Sequence, residues 1–168
     1  MSWPNGIPDI CPNPVNDFDC PMFMYVGEED SSSCRGRPGQ VCPNKNIPYG
    51  IELILDLHNC DPSTFTRKSI ASYFEELCKL IDMERCDLYF WDYENELEEY
   101  EKAEDHLKGI SAVQFIMTSN ITIHTLDVLK KVFINIFTCK DFNREEAEIF
   151  TRKWFKGRVV NTKALTRK

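Results

Sequence analysis

Eight of the nine prolines in this 168-residue chain fall within residues 1–48. Proline fixes φ and offers no backbone N–H, so a segment this rich in it builds neither long helices nor central strands. The pieces "CPNPVNDFDCPMF", "SSSCRGRPGQ" and "CPNKNIP" therefore read as an extended arm over residues 1–48. Phe18, Met22, Phe23, Met24, Tyr25 and Val26 give that arm enough apolar surface to lie against a folded body. The body takes residues 49–168, where Pro62 is the sole proline, and a body of this size can bury a real core.

Within the body, hydrophobicity alternates with the period of a β-strand. In "YGIELILDLHNCDP", Ile51, Leu53, Leu55 and Leu57 share one face and Glu52, Ile54, Asp56 and His58 the other. The aliphatic face belongs under a helical layer, and on pattern alone the mixed face reads as a solvated sheet surface. Asp61-Pro62 offers a helix entry, after which Ile70, Tyr73, Phe74, Leu77, Leu80 and Ile81 form one helical stripe. "CDLYFWDY" is a short strand, and "ENELEEYEKAEDHLKG" is an acidic, solvated connection. "ISAVQFIM" and "NITIHT" are further strands, and a short helical turn at "LDVLKK" leads into the strand "VFINIFTC".

Asn143 with Glu146 makes a capping-box-like start to a last helix. Ala147, Phe150 and Trp154 are its core stripe and Gly157 its C-terminal stop. "RVVNTKAL" is a final strand that ends in a basic, soluble tail. This order predicts an α+β fold: a two-layer sandwich in which helices cover one face of a largely antiparallel sheet.

The formal net charge of −7 argues against nucleic acid as a partner. No apolar run approaches the ~20 residues that span a bilayer, so no membrane association is expected. "MSWPNGIPDI" lacks a basic region followed by an apolar stretch, and a soluble, cytoplasmic protein follows as the expectation. The eight cysteines then read as reduced thiols rather than a disulfide framework. Zinc is the sharper idea for Cys11, Cys20, Cys34 and Cys42, but none of their spacings is the close Cys-x-x-Cys pair of structural sites. The three histidines form no His-x-x-x-His pair either, and no metal is expected.

Reactive residue types gather around "TSNITIHT". Thr118-Ser119-Asn120 separates two strands where a plain hairpin prefers glycine. Ser111 and Ser119 bracket one strand, His124 lies on the next, and Cys139 ends the third. A nucleophile, a base and a second acid are thus available. Each also has an ordinary reading: a strand-start hydroxyl, a satisfied sheet histidine, a small buried hydrophobe. The absence of a Gly-x-Ser-x-Gly elbow argues against a Ser-His-Asp hydrolase of that type.

As a set, these residues resemble the short, prokaryotic-type S-adenosylmethionine decarboxylases from Gly50 onward. In that family a strand of the type G-x-H-x-x-x-D/E-x-x-x-C-D opens the domain, and "GIELILDLHNCD" is similar. A stretch of the type S-G-V-V-V-I-x-E-S-H-L-x-I-H-T follows, then a strand ending in F-T-C. This chain carries "SAVQFIMTSNITIHT" and "FTC", with Ser111, Ser119, His124 and Cys139 in register without a gap.

The resemblance implies a self-processing enzyme. The Ser119 hydroxyl attacks the carbonyl of Thr118, β-elimination releases the upstream chain, and the dehydroalanine left behind hydrolyses to a pyruvoyl group, the one cofactor implied. Ser111 and His124 assist by hydrogen bonding and proton transfer. The pyruvoyl carbonyl then forms a Schiff base with the substrate amine, and Cys139 reprotonates the α-carbon after carbon dioxide departs. The product is the aminopropyl donor for spermidine synthesis.

A homodimer of cleaved chains is also implied, with active sites near the subunit contact and the polar strand face, with Glu52 and Asp56, turned inward. The chain departs from the motif at Thr118 (glutamate in the family), Asn120 (histidine) and Glu52 (histidine). Asn120 keeps hydrogen bonding to a substrate but cannot shuttle protons near neutral pH. Glu52 returns a negative charge. Two further readings stay open: a pyruvoyl enzyme acting on arginine or ornithine, and an uncleaved binding or regulatory protein.

Overall fold

Six segments with period-two hydrophobicity pair into one sheet. In the computed structural model, which describes residues 48–168, the elements run β1 (Gly50–His58), α1 (Arg67–Leu80), β2 (Arg85–Trp91), α2 (Leu97–Lys102), β3 (Ser111–Ile116), β4 (Ser119–Leu126), β5 (Lys131–Thr138), α3 (Arg144–Phe155) and β6 (Arg158–Arg167). The spatial order is β2-β3-β4-β5-β1-β6, and every neighbouring pair is antiparallel. This is the α+β class expected. Cys11, Cys20, Cys34 and Cys42, with the zinc reading, lie outside the described residues. Among the described residues no helix is long and apolar enough to cross a membrane.

The aliphatic face of β1 is buried as expected: Leu53, Leu55 and Leu57 pack with Ile121, Ile123, Ile134 and Ile136 of β4 and β5. Helices α1 and α3 supply the second layer, with Tyr73, Phe74, Leu77, Ala147 and Phe155 fully buried. Tyr73 anchors it, its ring centroid 4.9 Å from Phe155 and 5.8 Å from Phe150. Its hydroxyl lies 2.9 Å from Thr151 Oγ1. Thr151 donates its own proton to the Ala147 carbonyl at 2.7 Å, so Tyr73 is the donor in a buried bond of about 1 kcal/mol.

Five local expectations are corrected by packing. Asp61 caps only the single 3-10 turn Pro62–Thr64, and α1 has its own cap, Thr66, whose hydroxyl accepts from Ser69 N–H at 3.1 Å. "LDVLKK" is not helical: Leu126 already pairs with Lys131, leaving Asp127–Lys130 as a turn too short for a helix. In α3 the fully buried stripe is Ala147, Thr151 and Phe155, with Phe150 and Trp154 partly buried beside it. That helix ends at Lys156, which takes φ 51. Gly157 follows because a Cβ there would fall on Cys60 Sγ. Finally, β6 does not fray into a tail: Arg167 pairs with Gly50 at the start of β1.

Candidate active site

The β3–β4 connection is the shortest of the sheet, since β3 ends at Ile116 and β4 begins at Ser119. Met117 and Thr118 alone make the turn, and Thr118 is left-handed at φ 59. That region favours glycine or asparagine, so a β-branched residue there stores strain on the order of 1–3 kcal/mol. The strain sits on the residue that would be cut from Ser119. Met117 N–H donates to the Glu84 carbonyl at 3.0 Å and holds the turn in place.

Ser119 is only 8% exposed. Its Oγ accepts a hydrogen bond from Cys139 N–H at 3.1 Å, which leaves the hydroxyl proton free for another acceptor. Cys139 itself is exposed, one residue past β5, and its sulfur lies 3.1 Å from Thr118 Oγ1. Its backbone is fixed by Thr138, whose fully buried hydroxyl accepts Lys140 N–H at 2.9 Å and donates to Lys140 C=O at 2.8 Å. β1 presses on the same spot, for a Cβ on Gly50 would fall on the Thr138 carbonyl oxygen and stand 3.0 Å from Cys139 Cα. Thr118, Ser119 and Cys139 therefore form one cluster.

Ser111 and His124 form a second. They face each other across the β3–β4 ladder, with Ser111 Oγ 2.8 Å from His124 Nδ1. Burial pushes the imidazole below its ordinary 6.5, so it is neutral at pH 7 and able to accept a proton. In the tautomer with hydrogen on Nε2, Ser111 donates to Nδ1. The two clusters do not meet. Ser119 and His124 are five residues apart on one strand, about 16 Å along it, and the odd interval sends their side chains to opposite faces. Ser119 shares the helix-covered side with Ile121 and Ile123, while His124 shares the open side with Asn120 and Thr122.

Pairing registers place the open face in rows. Phe115, Asn120, Phe137, Glu52 and Leu165 stand side by side. Four residues along each strand, Ser111, His124, Phe133, Asp56 and Asn161 make a parallel row. Asp56 thus lies with His124 rather than with Ser119, its carboxylate accepting from Asn161 Nδ2 at 2.9 Å. Glu52 lies nearer Ser119, but its carboxylate is engaged by Arg167, and Asn135 Nδ2 is 3.4 Å away. The Arg167 guanidinium in turn covers the Phe137 ring at 5.3 Å.

A groove of about 320 Å³ opens at Ser119, lined by Phe115, Ile116, Thr118, Ser119, Asn120 and Phe137. It has two aromatic walls and no carboxylate. Sequence reasoning had passed over Gly50, Thr138, Phe115, Phe137 and Arg167. The phenylalanines were findable, since each shares Asn120's face by strand alternation; Arg167 and Gly50 needed the β1–β6 and β1–β5 pairings. A larger hollow of about 370 Å³ lies elsewhere, between the acidic connection and the start of β3. There Tyr100 donates to Asp127 at 3.1 Å, and burial raises the Asp127 carboxyl above its ordinary range. Neither Ser119 nor Cys139 reaches it.

Comparison with known proteins identifies a family and a fold. The sequence profile of a family described as S-adenosylmethionine decarboxylase matches residues 51–168. The fold is similar to the crystal structure of the adenosylmethionine decarboxylase from Aquifex aeolicus VF5, with a TM-score of 0.57 and 17% identity, over 71% of this chain and 91% of that one. At that identity the likeness is one of fold. No curated protein sequence matches this chain significantly.

Proposed function

The chain belongs to the S-adenosylmethionine decarboxylase family, and on that premise we propose that it is a self-processing, pyruvoyl-dependent decarboxylase of the cytoplasm. It cuts itself between Thr118 and Ser119 and converts S-adenosylmethionine to its decarboxylated form for spermidine synthesis. One observation carries the reading: a buried serine follows a residue at φ 59 and accepts a hydrogen bond from the backbone of an exposed cysteine 3.1 Å away. An ordinary turn needs none of these.

The left-handed Thr118 weakens the scissile amide before attack. Cys139 N–H orients Ser119 Oγ by occupying one lone pair, so the other is presented for attack. A neutral imidazole hydrogen-bonded to Ser111 takes up and returns the protons that processing moves. Because His124 of the same chain lies about 16 Å along the strand, that imidazole comes from a second copy.

The open face suits such a pairing. Tyr89, Trp91 and Phe115 on it are 61%, 62% and 45% exposed, a contiguous apolar surface of the kind that marks an interface. Docked face to face, one copy's Ser111–His124 row would meet the open-face wall of the other's groove, Phe115, Asn120 and Phe137, which borders Ser119, in a homodimer of cleaved chains.

The pyruvoyl group derived from Ser119 supplies an electron sink for the pair left when carbon dioxide departs. Cys139, next to it, returns the proton to the α-carbon. Phe115 offers a π face to a sulfonium, which is weakly hydrated and well served by cation–π contact. Asn120 supplies hydrogen bonds to the bound nucleoside or amino-acid part. Arginine or ornithine would bring a strongly hydrated side-chain cation that wants a carboxylate, and the groove holds none, with Glu52 already engaged by Arg167. This favours the sulfonium substrate over the other amino acids.

The test is the denatured mass of the purified protein. Two fragments divided between Thr118 and Ser119, the second blocked at its amino end, are expected. A single full-length chain after long incubation, matching a Ser119→Ala control, would overturn the proposal and favour an uncleaved binding or regulatory role.

A further inference from the structure

We infer that Thr118 is a positioning residue for Cys139, its hydroxyl holding the sulfur beside Ser119 in the uncleaved chain. Thr118 Oγ1 lies 2.7 Å from the Met117 carbonyl oxygen, to which it donates. With that proton committed, the oxygen faces Cys139 Sγ at 3.1 Å as an acceptor, and the thiol is the donor.

The rest of the geometry leaves the thiol little other freedom. The Thr138 hydroxyl clips Lys140 on both its N–H and its carbonyl, and Cys139 N–H is fixed on Ser119 Oγ. The Cys139 backbone is therefore set from both sides, and rotation about Cα–Cβ is what remains to the sulfur. Thr118 removes it. The left-handed turn serves the same end, because it aims a short β-branched side chain across the hairpin mouth at Cys139. A hydroxyl does this without adding charge beside the groove. The sulfur is thereby held beside Ser119 in the uncleaved turn.

The proposed function severs this turn between Thr118 and Ser119, so the device belongs to the uncleaved chain and is tested there. In a Ser119→Ala background, where the Thr138 clip and Thr118 alone hold Cys139, the alkylation rate of Cys139 by iodoacetamide is followed by peptide mass, with the exposed Cys86 on β2 as internal reference. Thr118→Val should speed Cys139 alkylation about three- to tenfold, the effect of losing one hydrogen bond. Thr118→Ser should restore the original rate.

Thr118→Gly, which relieves the left-handed strain, should show the same acceleration and covers the case in which the valine variant folds poorly. An unchanged or slower rate in valine and glycine variants would overturn the inference. So would acceleration in the serine variant, which would point to access rather than the hydroxyl. None of these outcomes depends on whether the native chain cleaves itself.

Discussion

If processing at Ser119 draws on an imidazole from a second copy, two inactive variants should rescue each other. Ser119→Ala keeps an intact Ser111–His124 pair but has no nucleophile; His124→Ala keeps Ser119 and Cys139 but has no base. The structure sets the scale of the demand: a hydrogen bond needs about 3 Å, while the two clusters of one chain stand about 16 Å apart along β4. Side-chain flexibility does not close such a gap. When the two variants are co-expressed at equal levels with tags of different mass, random pairing makes about half of all dimers mixed, and each mixed dimer contains one complete site.

That site cuts only the His124→Ala chain. About a quarter of all chains, or half of the His124→Ala chains, should therefore appear as two fragments on a denaturing gel. The Ser119→Ala chain should stay whole. Two results would refute the reasoning: His124→Ala chains that process themselves when expressed alone, or mixtures in which no chain is cut. Ser111→Ala in place of His124→Ala should complement in the same way, since the two residues act as one pair at 2.8 Å.

Two further outcomes follow from the site's packing. Gly50→Ala should lower the urea unfolding midpoint by the equivalent of about 1–3 kcal/mol, because the added methyl meets the β5 backbone at Thr138 rather than a side chain that can move; an unchanged midpoint would show that the β1–β5 contact is looser than drawn. The pH dependence of self-cleavage has a definite sign. Burial holds His124 below 6.5, so the imidazole is already neutral near pH 7 and the rate should be flat above neutrality. It should fall with acidification only as His124 gains its proton, with the half-fall below pH 6.5. A half-fall above that value would mean that a different group controls the step.

Much of the fold was legible because burial and period coincide. Leu53, Leu55 and Leu57 alternate with Glu52, Ile54 and Asp56, and the alternation alone assigned the helix-covered side of β1 correctly. Asn143 was readable as a cap because its role is local: its side chain accepts Glu146 N–H at 3.1 Å. The failures were non-local. "LDVLKK" looks helical in isolation, and only the Leu126–Lys131 pairing shows that too few residues remain for a helix. The basic end of β6 looks like a tail until β1 pairs with it as far as Gly50. Arg167, which engages Glu52 and covers Phe137, could not be found before that pairing was known.

The site shows the same division more sharply. Matching intervals from Ser111 to Ser119, His124 and Cys139 suggest four residues of one centre. Within one chain, strand geometry separates them into two clusters, and the parity of one interval carried that information. Ser119 and His124 differ by an odd number on a continuous strand, so they face opposite ways. A break that brought them together would have to fall among Ile121 and Ile123, which are 0% and 2% exposed in the core. Removing either from its packing would cost on the order of 2–5 kcal/mol, more than the strain stored at Thr118 could offset. If processing at Ser119 needs a neutral imidazole, the cheaper way to bring one is to leave β4 straight and draw on another copy's open face, where Ser111 already holds His124 in place.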